Sequence, residues 1–179
     1  TDLDRKMFRE QAYSVKDDTM VVFWNNRNAR RKQSGTLIYW FKEFLDNIGH
    51  DKAKLVMHTD PADPHGQDLH QIINHLGLSE KRQVMLSIQK IPPNQLASMY
   101  GMIDCTINIS DAEGFGLATL ESLSCGVPII VNMTGGLQEQ VTDGTDWFGI
   151  GLTPSSKSII GSQEVPYIYE DRLSKDQFF

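Results

Sequence analysis

The sequence has little of what membrane-spanning, disulfide-stabilised or nucleic-acid-binding proteins need. Its longest apolar runs cover only a few residues, so we expect no membrane span and find nothing that resembles a signal peptide. It has only two cysteines, Cys105 in a predicted strand and Cys125 at a predicted helix end. We expect both to be small core residues, which favours a reduced, cytoplasmic compartment. Lysine and arginine (17) are fewer than aspartate and glutamate (23), and the net charge of −6 argues against general binding of nucleic acid.

The length fits one domain covering residues 1–179, because a chain of this size buries roughly 70% of its extended surface. Residues 1–18 are charged and are predicted to be a lead-in segment with a short helix near 4–12. After Pro154 the regular pattern stops, so residues 155–179 are predicted to be an irregular tail. Within that tail, Gln163–Tyr169 could be extended, and Ser174 and Gln177 form a capping-box pattern. Because the chain stops where that helix begins, we expect the tail to be truncated.

Between these ends, short apolar runs alternate with amphipathic helical patterns. Strands are predicted at 19–24, 53–58, 83–88, 104–109, 128–132 and 147–152, and helices at 35–48, 68–78, 94–102 and 137–141, with another that begins near 117. Such alternation is typical of parallel βαβ units. The sequence therefore predicts an α/β fold, a Rossmann-like doubly wound parallel sheet of about six strands.

The most informative stretch is EGFGLATLE, from Glu113 to Glu121. It follows a predicted strand, contains two glycines (Gly114 and Gly116), and continues into good helix formers. A helix N-terminus presents unpaired backbone N–H groups and the positive end of the helix dipole, and glycine lets an anion approach them. This order of strand, glycine-rich turn and helix predicts a phosphate-binding site.

Both glutamates of this stretch allow two interpretations. Glu121 lies on the same helical face as Leu117, Leu120 and Ser124, which predicts a carboxylate that points inward and binds sugar hydroxyls. The alternative is a helix near the edge of the domain with Glu121 half exposed. Glu113 either stabilises the helix dipole by about 0.3–1 kcal/mol or binds a hydroxyl in the crevice of an open α/β sheet.

A basic loop follows the first predicted strand. Residues 25–35 (NNRNARRKQSG) hold four cations within six positions, namely Arg27, Arg30, Arg31 and Lys32. Runs of charge are usually solvated, but arginine and lysine at the end of a parallel strand can also clamp a diphosphate. A metal site formed by His58, His65 and His70 with nearby aspartates is not predicted, because the spacings match no established ligand pattern.

Several stretches together resemble the C-terminal, donor-binding half of retaining GT-B glycosyltransferases, most of all the family 4 group. They are VVFWNNRNARRK, IPPNQLASMYGMIDCTINIS, EGFGLATLESLSCGVPIIV and TGGLQEQVTDG, between residues 19 and 154. The resemblance implies one half of a GT-B fold that binds a UDP-, GDP- or ADP-sugar. It also implies a hexosyltransferase-like activity of class EC 2.4, which transfers the sugar with retention to a glycan or other acceptor. Neither a metal nor a cofactor is implied.

The resemblance also implies a role for each matching residue. Glu113 would contact hydroxyls of the donor sugar near the reacting carbon, and Glu121 would hold the ribose hydroxyls. Arg27 and Lys32 would stabilise the leaving diphosphate, with Arg31 as a possible substitute for Lys32. Backbone N–H groups of the diphosphate site would come from Phe115, Gly116 and Leu117, and the base would lie near Gln89, Lys90 and Ile91.

The sequence departs from the family pattern in two places and leaves alternatives open. Asn26 replaces the usual glycine before the loop arginine, and a proline-rich loop follows His58 in place of a glycine-rich one. The N-terminal acceptor domain is missing, so we expect this chain to bind donor but to transfer little or nothing. A nucleotide-sugar epimerase of the same fold and a non-catalytic nucleotide-sugar-binding module remain alternatives. A dinucleotide-dependent oxidoreductase is disfavoured, because the motif lacks a third glycine and follows the fourth strand.

Overall fold

In a computed structural model, residues 2–179 are described, with side chains from residue 4 onward. The helices are α1 Asp2–Tyr13, α2 Ser34–Ile48, α3 Leu69–His75, α4 Pro93–Tyr100, α5 Leu117–Ser124, α6 Gly136–Val141 and α7 Lys175–Phe178. The strands are β1 Met20–Asn25, β2 Ala53–His58, β3 Val84–Ser87, β4 Cys105–Asn108, β5 Ile129–Asn132, β6 Gly149–Leu152, β7 Ser156–Ile160 and β8 Ile168–Arg172. A single turn of 3₁₀-helix covers Arg30–Lys32.

Six strands form one sheet in the order β3-β2-β1-β4-β5-β6, and every pair in it is parallel. Alternate residues of β1 belong to different cores: Val22 and Trp24 pack with the α2 side, whereas Val21 and Phe23 pack with Tyr13 and Tyr100 on the other face. A strand that is covered on both faces needs a continuous apolar run, which is why MVVFW forms β1. The predicted doubly wound α/β sheet is confirmed.

The strand order reverses between β1 and β4, the first and fourth strands of the chain. In open α/β sheets such a reversal leaves a crevice beyond the carboxyl ends of the two strands, because the connections leave in opposite directions. The basic loop follows β1, and the EGFGLATLE motif follows β4. The topology therefore brings the two most informative stretches of the sequence to one edge of the sheet.

The segment predicted to be a lead-in is an integral helix. Arg9 of α1 is buried and donates two hydrogen bonds to Asp104, from Nη1 to Oδ1 (2.7 Å) and from Nη2 to Oδ2 (2.9 Å). It also bonds the Thr19 carbonyl (2.7 Å), while Tyr13 is 2% exposed. The helix therefore joins the amino ends of β1 and β4, which local sequence pattern alone did not indicate.

The prediction of an irregular tail at 155–179 is wrong. Strands β7 and β8 pair as an antiparallel hairpin, and α7 begins at the predicted capping box of Ser174 and Gln177. Glu170 of β8 is 2% exposed and forms ion pairs with Arg30 and Arg172. The hairpin is thereby attached to the basic loop. All positions of both strands except Glu170 are exposed or half-buried, so the strands contain no continuous apolar run of the kind that predicted the others.

The two cysteines differ in their surroundings. Cys105 is buried in β4, where desolvation raises the pKa of its thiol to about 12. Cys125 is exposed at the C-terminus of α5, so the prediction that it is a core residue is wrong. Val127, two residues later, fills the nearby core position instead. In the part of the chain that the structure describes, no helix combines the length and apolar character needed to cross a membrane.

Candidate functional site

A cavity of about 410 Å³ lies at the carboxyl ends of β1 and β4. It brings together seven of the residues predicted from the sequence, namely Arg27, Lys32, Glu113, Phe115, Gly116, Leu117 and Glu121. Asn25, Asn26 and Ala118 complete the lining. Residues that are up to 96 positions apart in the chain thus face one space, which is the arrangement that the strand order predicts.

Lys32 and Glu113 form an ion pair inside this cavity. Their side chains are only 8% and 11% exposed, and Lys32 Nζ donates to Glu113 Oε2 and to Asn26 Oδ1, the latter at 2.9 Å. Arg31 lies nearby, with Nη1 3.6 Å from Glu113 Oε2. Burial, followed by the charge of Arg31, lowers the pKa of Lys32 to about 7. The Glu113 carboxylate opposes that shift, because an adjacent negative charge favours the ammonium form.

Arg27 lies at the rim and is held from outside the cavity. Its Nε donates to Asp63 Oδ2 at 2.7 Å, and its Nη2 contacts Asp63 Oδ1 at 3.2 Å and His65 Nδ1 at 2.7 Å. The hydrogen bond from Arg27 holds the pKa of Asp63 well below its usual range. The proline-rich loop after β2 therefore supplies the partner of Arg27, although sequence reasoning assigned that loop no function.

The glycine-rich turn opens helix α5 toward the same space. Gly116 is the N-cap, with a left-handed backbone (φ +82°) and no side-chain capping bond. The first regular hydrogen bond of the helix runs from Leu120 N–H to Gly116 O at 3.2 Å. The backbone N–H groups before Leu120 therefore have no i→i−4 partner within the helix. A Cβ on Gly116 would lie 2.6 Å from Leu137 Cδ2, which requires glycine there. The geometry is that of an uncapped helix start directed at a polar cavity.

Residues of the TGGLQEQ stretch support the turn from behind, a role that sequence analysis missed. Gln140 Nε2 donates to Gly116 O at 3.1 Å and also to Phe115 O, and its Oε1 accepts from Thr119 at 2.6 Å. Gly135 adopts φ +49° and ψ −138°, and a Cβ there would lie 1.8 Å from the Glu113 carbonyl oxygen. The double glycine at 135–136 was the available signal, because it marks a close approach of two backbone segments.

The prediction that Glu121 points inward is wrong. Glu121 is exposed, as are Leu117 (68%) and Leu120 (39%). Helix α5 instead packs through Thr119 and Ser122, both fully buried, and Ser122 Oγ bonds Thr106 Oγ1 at 2.8 Å and the Val127 carbonyl at 3.1 Å. Small hydroxyl residues let the helix lie close to the sheet. The leucine-bearing face therefore turns to solvent, as in the alternative interpretation of an edge helix.

The carboxylate of Glu121 nevertheless has defined partners. Its Oε2 accepts from the Tyr100 hydroxyl at 3.1 Å and lies 3.5 Å from Asn25 Nδ2. The residue stands between the central cavity and an apolar groove of about 270 Å³ between α4 and α5, which it also lines. Glu121 is thus a fixed acceptor on the boundary of two adjoining spaces.

The residues expected near the nucleotide base lie beside the central cavity, outside its lining. Gln89 and Lys90 are exposed and line a neighbouring polar cavity of about 300 Å³, which shares Asn25, Asn26 and Arg27 with the central one. Ile91 is half-buried and is not part of the lining of either cavity. The loop after β3 is therefore adjacent to the central cavity. Two of its three predicted residues line the neighbouring cavity, and none lines the central one.

The three histidines considered as metal ligands have separate partners. His58 contacts Ser87, His65 contacts Asp63, and His70 contacts Glu80. Across residues 4–179, the structure contains no group of three or more His, Cys, Asp or Glu side chains placed to hold a metal ion.

An α/β sheet with a polar cavity at its strand reversal is the architecture of one Rossmann-like half of a GT-B protein. The C-terminal domain of a glycosyl transferase group 1 family protein from Francisella tularensis matches it with a TM-score of 0.63 and 21% identity, over 84% of this chain and 75% of that one. The chain belongs to the glycosyl transferases group 1 family, whose profile matches residues 4–158.

Two further relatives show how similar the chain is to longer proteins and how much of their length it covers. The D-inositol 3-phosphate glycosyltransferase 2 of Catenulispora acidiphila is 26% identical over 154 residues, which are 80% of this chain and 35% of that protein. Anabaena HepE, whose crystal structure is a complex with UDP, matches with a TM-score of 0.63 and 22% identity over 87% of this chain and 40% of that one. The chain thus spans well under half the length of these two relatives.

Proposed function

We propose that this chain is the donor-binding half of a retaining glycosyltransferase and binds a nucleoside-diphosphate sugar in the cavity at the ends of β1 and β4. The observation that carries this proposal is the convergence of Lys32, Arg27 and the uncapped start of α5 on one space. A diphosphate needs two or more positive groups, and cations together with helix-end amides provide them.

Each residue of the cavity has a place in this proposal. Negative charge builds on the diphosphate as the glycosidic bond breaks, so Lys32, Arg27 and the α5 amides would stabilise the leaving group without a metal ion. Glu113 would accept a hydrogen bond from a hydroxyl of the donor sugar, while its ion pair with Lys32 keeps its charge from repelling the phosphates. Glu121 would accept from the ribose hydroxyls. An acceptor glycan would be bound outside the described cavity.

Calorimetric titration of the 179-residue chain with UDP, GDP and ADP, each with and without common sugars, tests the proposal. We expect saturable binding of at least one of these ligands, and we expect Arg27→Ala to weaken it about tenfold, as for a hydrogen bond to a charged group. Lys42→Ala is the matched control, because Lys42 lies on α2 and pairs with Asp46 at i,i+4. Absence of binding by all three nucleotides, or equal effects of both variants, would contradict the proposal.

A further inference from the structure

Three elements of the fold meet at a single oxygen of Glu121. Asn25 ends β1, Tyr100 ends α4, and Glu121 lies in the middle of α5. The Tyr100 hydroxyl is 3.1 Å from Glu121 Oε2 and 2.9 Å from the Ala118 carbonyl oxygen, and Asn25 Nδ2 is 3.1 Å from the same hydroxyl. The network joins the sheet to two helices beside the candidate site.

Tyr100 is suited to hold a carboxylate in one place. The residue is 1% exposed, and its ring packs edge-on against Phe23 at a centroid distance of 5.2 Å and an interplanar angle of 87°. Burial raises the pKa of Tyr100 well above its usual range; the hydrogen bond from Asn25 opposes this shift, and the charge of Glu121 adds to it. Its hydroxyl therefore keeps its proton throughout the physiological range. The Ala118 carbonyl oxygen and Glu121 Oε2 share that single proton, and the hydroxyl oxygen accepts from Asn25 Nδ2.

The two carboxylate oxygens of Glu121 differ in their hydrogen-bond partners. Tyr100 and Asn25 both approach Oε2, whereas no hydrogen bond from any residue in 4–179 reaches Oε1. A carboxylate has about four lone-pair sites, so a fixed Oε2 leaves Oε1 able to accept from a ligand. Because Glu121 lines the central cavity, hydroxyl groups of a molecule bound there can donate to its carboxylate without displacing Tyr100 or Asn25.

We propose that Tyr100 and Asn25 are positioning residues, which orient Glu121 so that its free oxygen accepts from the vicinal hydroxyls of the nucleoside part of the ligand. This inference rests on the proposed function and adds to it two residues, of which Tyr100 is buried outside the cavity lining and Asn25 also lines the cavity. Tyr100 acts through Glu121, and Asn25 acts through both. Loss of the tyrosine hydroxyl should therefore affect recognition of the ribose and leave recognition of the phosphates unchanged.

The test compares ligands with and without the hydroxyls in calorimetric titrations of the whole chain. UDP, GDP or ADP, whichever the parent chain binds, is titrated beside its 2′,3′-dideoxy analogue and beside inorganic pyrophosphate. For Tyr100→Phe we expect about tenfold weaker binding of the ribonucleotide, because Glu121 is no longer held in place and the ribose loses its hydrogen bond to that charged group. Affinity for the dideoxy analogue and for pyrophosphate should stay within about twofold of the parent.

Tyr13→Phe is the matched control. Tyr13 is 2% exposed in the same apolar cluster, and among residues 4–179 its hydroxyl bonds only the Met99 carbonyl, at 3.4 Å, so this variant should leave all three affinities unchanged. Asn25→Ala provides a second variant with the same expected selectivity in case Tyr100→Phe does not fold. Unchanged ribonucleotide binding in both variants, or an equal loss for pyrophosphate, would overturn the inference. If the parent binds no nucleotide, the proposed function itself fails, which is a separate result.

Discussion

Strands β1 and β4 carry a cluster of carboxylate and cation at each end, and the two clusters are built differently. At the amino end, Asp104 accepts from Arg9, from Arg5 (3.0 Å) and from the Val21 backbone N–H (2.7 Å). At the carboxyl end, Glu113 contacts Lys32 and lies 3.6 Å from Arg31 beside an open cavity. The same types of residue thus close one end of the sheet and leave the other end accessible.

The difference lies in how completely each polar group is satisfied. Asp104 uses both oxygens, and although burial raises its pKa, hydrogen bonds from Arg9, Val21 N–H and Arg5 bring it below its usual value. At the carboxyl end, burial lowers the pKa of Lys32. The nearby Asn26 Nδ2 is buried without a hydrogen-bond partner among the described residues. A saturated cluster contributes to stability, whereas a partly satisfied one retains capacity for a ligand.

The largest expected effect is at the amino end. Asp104→Ala would leave Arg9, only 5% exposed, as an uncompensated buried charge, so we expect a loss of about 3–5 kcal/mol in the free energy of unfolding. Urea denaturation followed by circular dichroism measures it. Asp18→Ala removes an exposed partner of Lys52 and should change the free energy of unfolding far less, because water screens that ion pair. Similar costs for the two variants would show that Asp104 contributes no more than an exposed ion pair, which contradicts the stabilising role assigned to the amino end.

Lys32→Met tests the carboxyl end. In contrast to Asp104→Ala, it should weaken ligand binding more than it lowers the stability of the fold. The substitution keeps an unbranched side chain of similar length but removes the charge that would contact the diphosphate, so we expect at least about tenfold weaker nucleotide binding. The loss in the free energy of unfolding should be smaller than for Asp104→Ala, because Arg31 Nη1, 3.6 Å from Glu113 Oε2, still compensates the carboxylate that Lys32 leaves. Titration and urea denaturation of the same preparation measure both quantities. A loss of stability comparable to that of Asp104→Ala would show that Lys32 is mainly structural.

The pH dependence of stability gives the smallest effect. Because the folded pKa of Asp104 is below the unfolded value of about 3.9, the folded state binds fewer protons in the interval between them. Its contribution to stability is therefore complete above about pH 5 and is lost as the pH falls through the folded pKa. Urea midpoints measured from pH 6 to pH 2 should decline less steeply for Asp104→Asn than for the parent. Parallel curves would contradict the assignment.

The sheet could be predicted because buried parallel strands leave a strong signal. Strand β2 has the predicted bounds, Ala53–His58, and β1 differs by one residue at each end. One physical requirement, the covering of a strand on both faces, acts on consecutive residues and is visible locally. The convergence of the basic loop with EGFGLATLE was implied by the family resemblance, which assigned both to one diphosphate, and it is the strand order of the structure that brings them together.

Other features depended on contacts that local pattern does not encode. The orientation of α5 was mispredicted because its packing face carries Thr119 and Ser122 in place of apolar residues. The partners of Arg27 and Arg9 lie 36 and 95 positions away, in segments whose approach is decided by the tertiary fold. The positions of Tyr100 and Gln140 around the motif were missed for the same reason.

The contrast between the two cysteines has a practical consequence. With its pKa raised to about 12, the buried Cys105 thiol is almost entirely protonated near neutral pH and unreactive, whereas the exposed Cys125 lies in the groove that Glu121 also borders. The natural sequence therefore carries one accessible attachment point for a maleimide fluorophore, a few side chains from the cavity. A dye coupled there would report occupancy optically, without any engineered residue.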